Sequence, residues 1–394
     1  MMDPHITEWL NLAVRWVHMI TGIAWIGASF YFVWLENHLE RNQPREGLSG
    51  DLWAIHGGGI YHLEKYKLAP PQMPEKLHWF YWEAYATFLS GFTLLAVVYY
   101  LNAPLYLIAP GSEMGTMTAI AISIASLLAG WLIYTSLCDS PLGQKPLLLG
   151  VVLFALLVLA AWGLSLIYSG RGAFIHIGAI IGTIMVGNVF RIIMPAQRAM
   201  VSAIEAGQTP DPKLPAKGLL RSRHNNYFTL PVLFIMISNH FPSTYSYEYN
   251  WAILGALAFL SVLVRHYFNT RHLTQKYLWT LPAAALGMIV LAFVVAPQTA
   301  PTSQAQAVSF TQVQPILSER CSVCHSANPT YPGFTAPPLN VIMDTPAQIK
   351  TLVPRIQAQA ITTTAMPLGN ITQMTPQERD LLGQWIAQGA RIDH

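Results

Sequence analysis

Eight apolar runs set the terms for this chain, at about 9–35, 79–101, 117–138, 147–168, 173–194, 227–241, 250–270 and 277–297. A run of about 20 apolar residues is what a helix needs to cross ~30 Å of hydrocarbon. In lipid every backbone N–H and C=O must be satisfied within the spanning element, so such runs fold as helices. The sequence therefore predicts an all-α architecture, a polytopic bundle of eight transmembrane helices over residues 1–297. The sixth run is short and can extend backward through Asn225 and Asn226. Composition agrees: 53% of the 394 residues are hydrophobic and 10% are charged, against about 25% charged in soluble domains. The first run has no basic segment before it and continues too far for a cleavable signal peptide.

Lysine and arginine sort the loops into two sets. Segments 36–78, 139–146, 191–226 and 265–277 hold 5, 1, 6 and 3 of them, whereas 1–8, 102–116, 169–172 and 242–249 hold only Arg171. By the positive-inside rule the first set faces the cytoplasm and both termini face outward. The net charge of +3 thus reports orientation and gives no argument for nucleic-acid binding. The glycines of "HGGGIYH" lack the following helix and Lys-Ser/Thr of a phosphate loop.

Composition changes at "APQTAPTSQAQA", and residues 298–307 read as a flexible linker to a small domain at 308–394. Within it "SERCSVCHSANP" carries Cys321, Cys324 and His325 as C-x-x-C-H, the attachment signature of a c-type haem. The two thiols lie one helical turn apart, placed for thioethers to the haem vinyl groups, and His325 supplies the proximal iron ligand. No second cysteine pair exists to complete a zinc site, and Cys138 reads as a small packing residue. The distal ligand is expected at Met366, in the loop "TTTAMPLGN", with Met343 and Met374 as packing residues; Met/His ligation raises a haem potential and suits an electron acceptor. Helices are expected at 310–320, around 346–360 and after Thr375, an N-cap with Pro376 and Glu378 behind it. The fold class is therefore a membrane bundle with a C-terminal class I-like cytochrome c domain. An even number of spans puts that domain outside, where haem c is attached.

Ionisable side chains inside spans cost ~2.5–3.5 kcal/mol on insertion scales and are functional candidates. Toward the outer side lie Arg15, His18, His176 and His240. His18 and His176 are candidates for a second, non-covalent haem b or a metal, and equally for hydrogen bonds between helices. Toward the cytoplasm lie Glu36, His38, His78, Glu83, Asn188, Arg191, His224, Asn225, Asn226, Arg265 and His266, several of them able to snorkel to the interface.

The segments "RWVHMITGIAWIGASFYF", "HWFYWEAYATFLSGF", "HIGAIIGTIMVGNVFRIIMPAQR" and "HNNYFTLPVLFIMISNHFP", with "CSVCHS" and "TAMPLGN" behind them, resemble the bacterial membrane-bound cytochrome c urate oxidases (PuuD-type urate hydroxylases). The resemblance covers essentially the whole chain. It implies oxidation of urate to 5-hydroxyisourate in a bacterial inner membrane, without hydrogen peroxide. Electrons would pass to the covalent haem c, in the periplasm, and on to a soluble or membrane cytochrome or terminal oxidase. For a planar anion such as urate, the forked donors of arginine and the dual role of asparagine are apt partners. On that basis Asn188, Arg191, Asn225 and Asn226 are the expected substrate-binding residues, with Glu83 and His224 as catalytic ones. Asn188 and Arg191, three apart, would share a helix face. An outer pocket of Arg15, His18 and His176 is the rival location. Two other function classes compete: a membrane-anchored cytochrome relaying electrons from a quinol dehydrogenase to a terminal oxidase, and a transporter. Eight spans exceed what an anchor requires, and transport leaves a tethered haem unexplained.

Overall fold

A computed structural model of the chain describes residues 4–296 and 307–392. Its first helix, α1 (Pro4–His38), takes up the whole first apolar run. The polar stretch behind it departs from the all-α expectation and forms an antiparallel hairpin, β1 (Leu48–His56) and β2 (Gly59–Tyr66). Gly57 and Gly58 stand at φ +57° and +83°, the left-handed pair that a tight hairpin turn needs. Gly57 and Gly58 are thus turn residues, and Gly59 opens β2. Trp53 stacks on His62 across the strands, with centroids 4.2 Å apart.

Helix α2 (Trp82–Leu95) runs on through a wider turn, Ala96–Tyr100, to a short α3 (Ala103–Tyr106). Then follow α4 (Thr116–Asp139), α5 (Pro146–Ser165) and α6 (Gly170–Asn188). A π turn at Val189–Ile193 joins α6 to α7 (Met194–Glu205). Beyond it come α8 (Lys213–Ser238), a short α9 (Pro242–Tyr245), α10 (Asn250–Thr270) and α11 (Thr280–Val294). All eight expected runs are helical. Among the described residues five helices are long and apolar enough to cross a membrane: His5–His38, Thr116–Asp139, Pro146–Ser165, Gly170–Glu205 and Asn250–Thr270. The other three fall short for visible reasons. α2 has 14 residues before its turn widens, α11 has 15, and the first half of α8 is basic.

Helix α6 is the centre of the bundle and packs against α2, α4, α5 and α8. Missing side chains let it do so. A Cβ on Gly178 would lie 2.6 Å from Ile235 of α8, and one on Gly187 would lie 2.5 Å from the Trp131 ring of α4. This close approach brings polar side chains of three helices within hydrogen-bonding reach at its C-terminal end.

Residues 307–392 build a separate apolar core around Phe310, Val313, Leu317, Leu382 and Trp385. Its helices are α12 (Phe310–Leu317), prolonged through Ser318–Ser322, α13 (Pro346–Ile356), prolonged to Thr362, and α14 (Pro376–Ala387). The expected cap is in place: Thr375 accepts from the Glu378 N–H, and the Glu378 carboxylate accepts from the Thr375 N–H. Residues 298–306 of the expected linker lie outside the described residues. The two parts touch at the turn Leu368–Asn370, which packs on α3. Gly369 is there at φ +56°, and a Cβ would sit 3.2 Å from the carbonyl oxygens of Pro104 and Leu105.

Candidate functional site

Two polar networks flank α8. On its α6 face, Asn188 is fully buried and donates to the Tyr134 hydroxyl (2.9 Å) and to Asn225 Oδ1 (2.8 Å). Asn225 in turn donates to the Met185 carbonyl (2.9 Å). Tyr134, accepting from Asn188, has its own proton free for His224 Nδ1 at 2.8 Å. Cys138, one turn on from Tyr134, packs as a buried residue 3.8 Å from the same imidazole nitrogen. Beneath them Arg221, fully buried, holds Asp139 at 2.8 Å and lies over the Tyr134 ring at 5.0 Å.

On the opposite face Asn226 turns toward α1 and α10. Its Oδ1 accepts from Arg265 Nε at 2.7 Å, and its amide reaches Ser29 Oγ at 3.4 Å. The Arg265 guanidinium covers the Phe30 ring at 4.3 Å. Adjacent asparagines therefore serve different interfaces, because successive helical residues point about 100° apart.

Unused hydrogen-bonding capacity marks where something else can bind. Among the described residues, buried atoms without a protein partner include Asn188 Oδ1, Glu83 Oε2, Arg221 Nε and Nη1, and Arg265 Nη2. An unpaired buried polar atom costs about 1–3 kcal/mol, so a ligand or water that satisfies these atoms recovers that cost. Glu83 sits in the first turn of α2. Its neighbour Ala84 packs on Val189, the residue after Asn188.

The structure corrects the expected group in two respects. Arg191 is exposed and shares no face with Asn188. The π turn at Val189–Ile193 inserts an extra residue into the helical repeat, so a spacing of three no longer aligns side chains. Arg221 and Arg265 are the buried arginines instead. Arg221 was legible: it precedes Asn225 by four, one turn on the same face, once α8 is extended back to Lys213. Reading 191–226 as a loop hid it.

The outer candidates do not assemble. His176 has both ring nitrogens occupied, Nε2 by Ser123 Oγ (2.6 Å) and Nδ1 by the Gly172 carbonyl (2.7 Å), and it is fully buried. His18 Nδ1 lies 3.0 Å from the Thr87 carbonyl and 3.1 Å from Ser90 Oγ. Arg15 is exposed and bonded to Asn11 on its own helix. A haem-ligating pair His18/His176 does not fit this arrangement, because both His176 nitrogens are taken, one by Ser123 of α4 and one by Gly172 of its own helix. Among the described residues no three His, Cys, Asp or Glu side chains gather to hold a metal ion.

In the C-terminal part the residues do fit a covalently attached haem. Cys321 and Cys324 are free thiols on one turn, the Cys324 N–H donating to the Cys321 carbonyl at 3.1 Å. His325 Nδ1 lies 3.2 Å from the Val341 carbonyl; donating there fixes the tautomer that leaves Nε2 with a lone pair for iron. Burial pushes the Cys321 thiol up to about 12 and draws His325 below the usual histidine range, despite the bond to Val341. Of the three methionines, Met343 and Met374 are buried in the apolar core, whereas Met366 is partly exposed at its edge. Arg379 grips the carbonyls of Ala360 and Met366, the latter at 2.7 Å, and its charge bears on Cys321. Met366 and the attachment cysteine thus belong to one neighbourhood.

Against known families, residues 4–296 match the profile described as urate oxidase N-terminal. That is well over half of the chain. No curated protein and no solved structure matches.

Proposed function

The chain belongs to the urate oxidase N-terminal family, and we propose that it is a membrane oxidoreductase that converts urate to 5-hydroxyisourate and passes the electrons to a haem c in its own C-terminal domain. The reaction adds one water to urate and releases two protons and two electrons. A haem c held by Cys321, Cys324, His325 and Met366 would supply one-electron acceptance outside the membrane. The acceptor beyond it is a cytochrome or terminal oxidase, and no peroxide forms.

The observation that supports this reading is an arrangement in the same chain that fits a haem c: paired thiols on one turn, with the His325 tautomer fixed by Val341. In the proposed topology α2, α8 and α11 also cross the bilayer, giving eight spans and an external C-terminal domain. Substrate lies at the buried asparagines of α8. His224, on the α6 face of α8, accepts the Tyr134 hydroxyl at Nδ1 and holds that network in place behind the substrate. Glu83, with a buried carboxylate oxygen free, takes the proton. Asn188 and Asn225 hold α6 and α8 in register beside it. A simple electron relay would leave the buried arginines and asparagines without a task.

The test is stoichiometry. Purified protein is given urate and an excess of a one-electron acceptor under air. Two acceptors reduced per urate, with 5-hydroxyisourate formed and no peroxide, is the expected result. One peroxide per urate, with the acceptor untouched, would overturn it.

A further inference from the structure

Two buried arginines sit in the bundle, and only one has an acid. Arg221 is neutralised by Asp139. Arg265 is 6% exposed, and its bonds are to neutral groups: Nε to Asn226 Oδ1 at 2.7 Å, with the Phe30 ring beneath it. Nη2 is buried without a partner. A guanidinium inside a membrane bundle without a counter-charge is expensive, and an anion that enters relieves both the charge and the unpaired N–H. Arginine's planar fork suits a planar anion.

Further along the same two helices, Asn37 of α1 donates to the Phe268 carbonyl of α10 at 3.3 Å. Between α1 and α10 lies a cavity of about 340 Å³ lined by Asn37, His38, Tyr267, Arg271, His272 and Gln275, within the size range of small-molecule sites. Its lining holds an arginine and two histidines, and the Glu36 carboxylate that acts on His272 is itself paired with Arg41 and Lys65. Arg271 follows Arg265 by six residues on the α10 helical path, about 9 Å at 1.5 Å per residue. Asn37 and His38 likewise follow Phe30 by about two turns on α1. Both helices run toward the same end, that of the lysine- and arginine-rich loops.

We infer that urate, on the reading proposed above, enters as its anion from the basic-loop side, through this vestibule, and is anchored by Arg265 and Asn226. Arg265 is then a binding residue that sets the preference for an anion. Substrate enters from the cytoplasmic side while electrons leave outside.

Two experiments on the full chain test this. In titration calorimetry of detergent-solubilised protein with urate, Arg265→Gln should weaken binding by about 30-fold or more, as loss of one partner from a buried charged contact does. Asn226→Asp places a carboxylate against the guanidinium, supplying an internal anion. It should fold at least as well as wild type and lose urate binding. In sealed membrane vesicles, labelled urate should bind when the basic loops face the added solution and not in the opposite orientation. Wild-type affinity in a folded Asn226→Asp variant, or binding only in the opposite orientation, would overturn the inference. Failure of the solubilised wild type to bind urate would instead overturn the functional reading itself.

Discussion

The two halves of this molecule hold their functional residues in opposite ways. In residues 307–392 three of the four groups proposed to hold haem are neighbours in sequence: Cys321, Cys324 and His325 lie within two turns, and the Cys324 and His325 N–H groups both donate to the Cys321 carbonyl. In the membrane bundle the polar residues come from α1, α2, α4, α6, α8 and α10, and what unites them is burial. A local motif survives changes in packing around it; a site contributed by six helices exists only in the correct packing. Substitutions should therefore act sharply and separately in the first region, and cooperatively in the second.

The largest effect should come from the local motif. His325→Ala removes the proximal ligand and should abolish urate-driven haem reduction, a loss of more than about 100-fold, while calorimetry shows urate still bound. Loss of urate binding in a folded variant would mean that the C-terminal domain helps build the pocket, and the separation of the halves would fail.

Next in size is the C-terminal core. Trp385 is fully buried, with Nε1 donating to the Arg391 carbonyl at 3.0 Å. Trp385→Ala should cost about 3–5 kcal/mol, read as the melting of the C-terminal domain, with urate affinity unchanged. In the bundle, Asn188→Ala leaves the Tyr134 hydroxyl and Asn225 without their shared donor. It should lower kcat/KM for urate by about tenfold, whereas exposed Arg191→Ala should stay within twofold. Equal effects from both would reinstate the shared helix face that the π turn breaks.

The smallest effect concerns pH. Burial raises the Glu378 carboxyl, but the Arg320 guanidinium at 2.9 Å and the Thr375 N–H outweigh it and hold the group below the usual carboxylate range. A carboxyl lowered on folding contributes stability that is full above its unfolded value and is lost as pH falls through its folded one. The pair is partly exposed, so the contribution is about 1 kcal/mol or less. Acid melting of the C-terminal domain below about pH 4.3, the ordinary value for glutamate, should be blunter in Glu378→Gln; an identical acid limb would remove the pair from the account.

The same contrast explains what could be read from the sequence. Helices in the apolar runs and the Thr375 cap are local, and each was legible; the C-x-x-C-H turn is equally local. The hairpin was missed because its turn glycines sit in a polar loop, where alternation was outweighed by the surrounding helices. The side of α8 on which Asn225 and Asn226 each fall depends on α6 and α10 approaching it, and Gly178 permits one of those approaches. Arg191 went astray through a single inserted residue, a defect with no sequence signature of its own. Arg265 was legible as a candidate near the cytoplasmic end of its span, but its partners Asn226 and Phe30 come from other helices and appear only once α10 packs against them.

The most direct test of the central claim is anaerobic. Urate is added to the purified, oxidised full chain, and the haem absorbance bands are followed. The account predicts reduction at a rate that rises with urate, with one 5-hydroxyisourate formed for every two haems reduced and c-type bands alone changing. A haem that stays oxidised with urate but is readily reduced by a chemical reductant would contradict it, leaving a cytochrome whose electrons come from elsewhere.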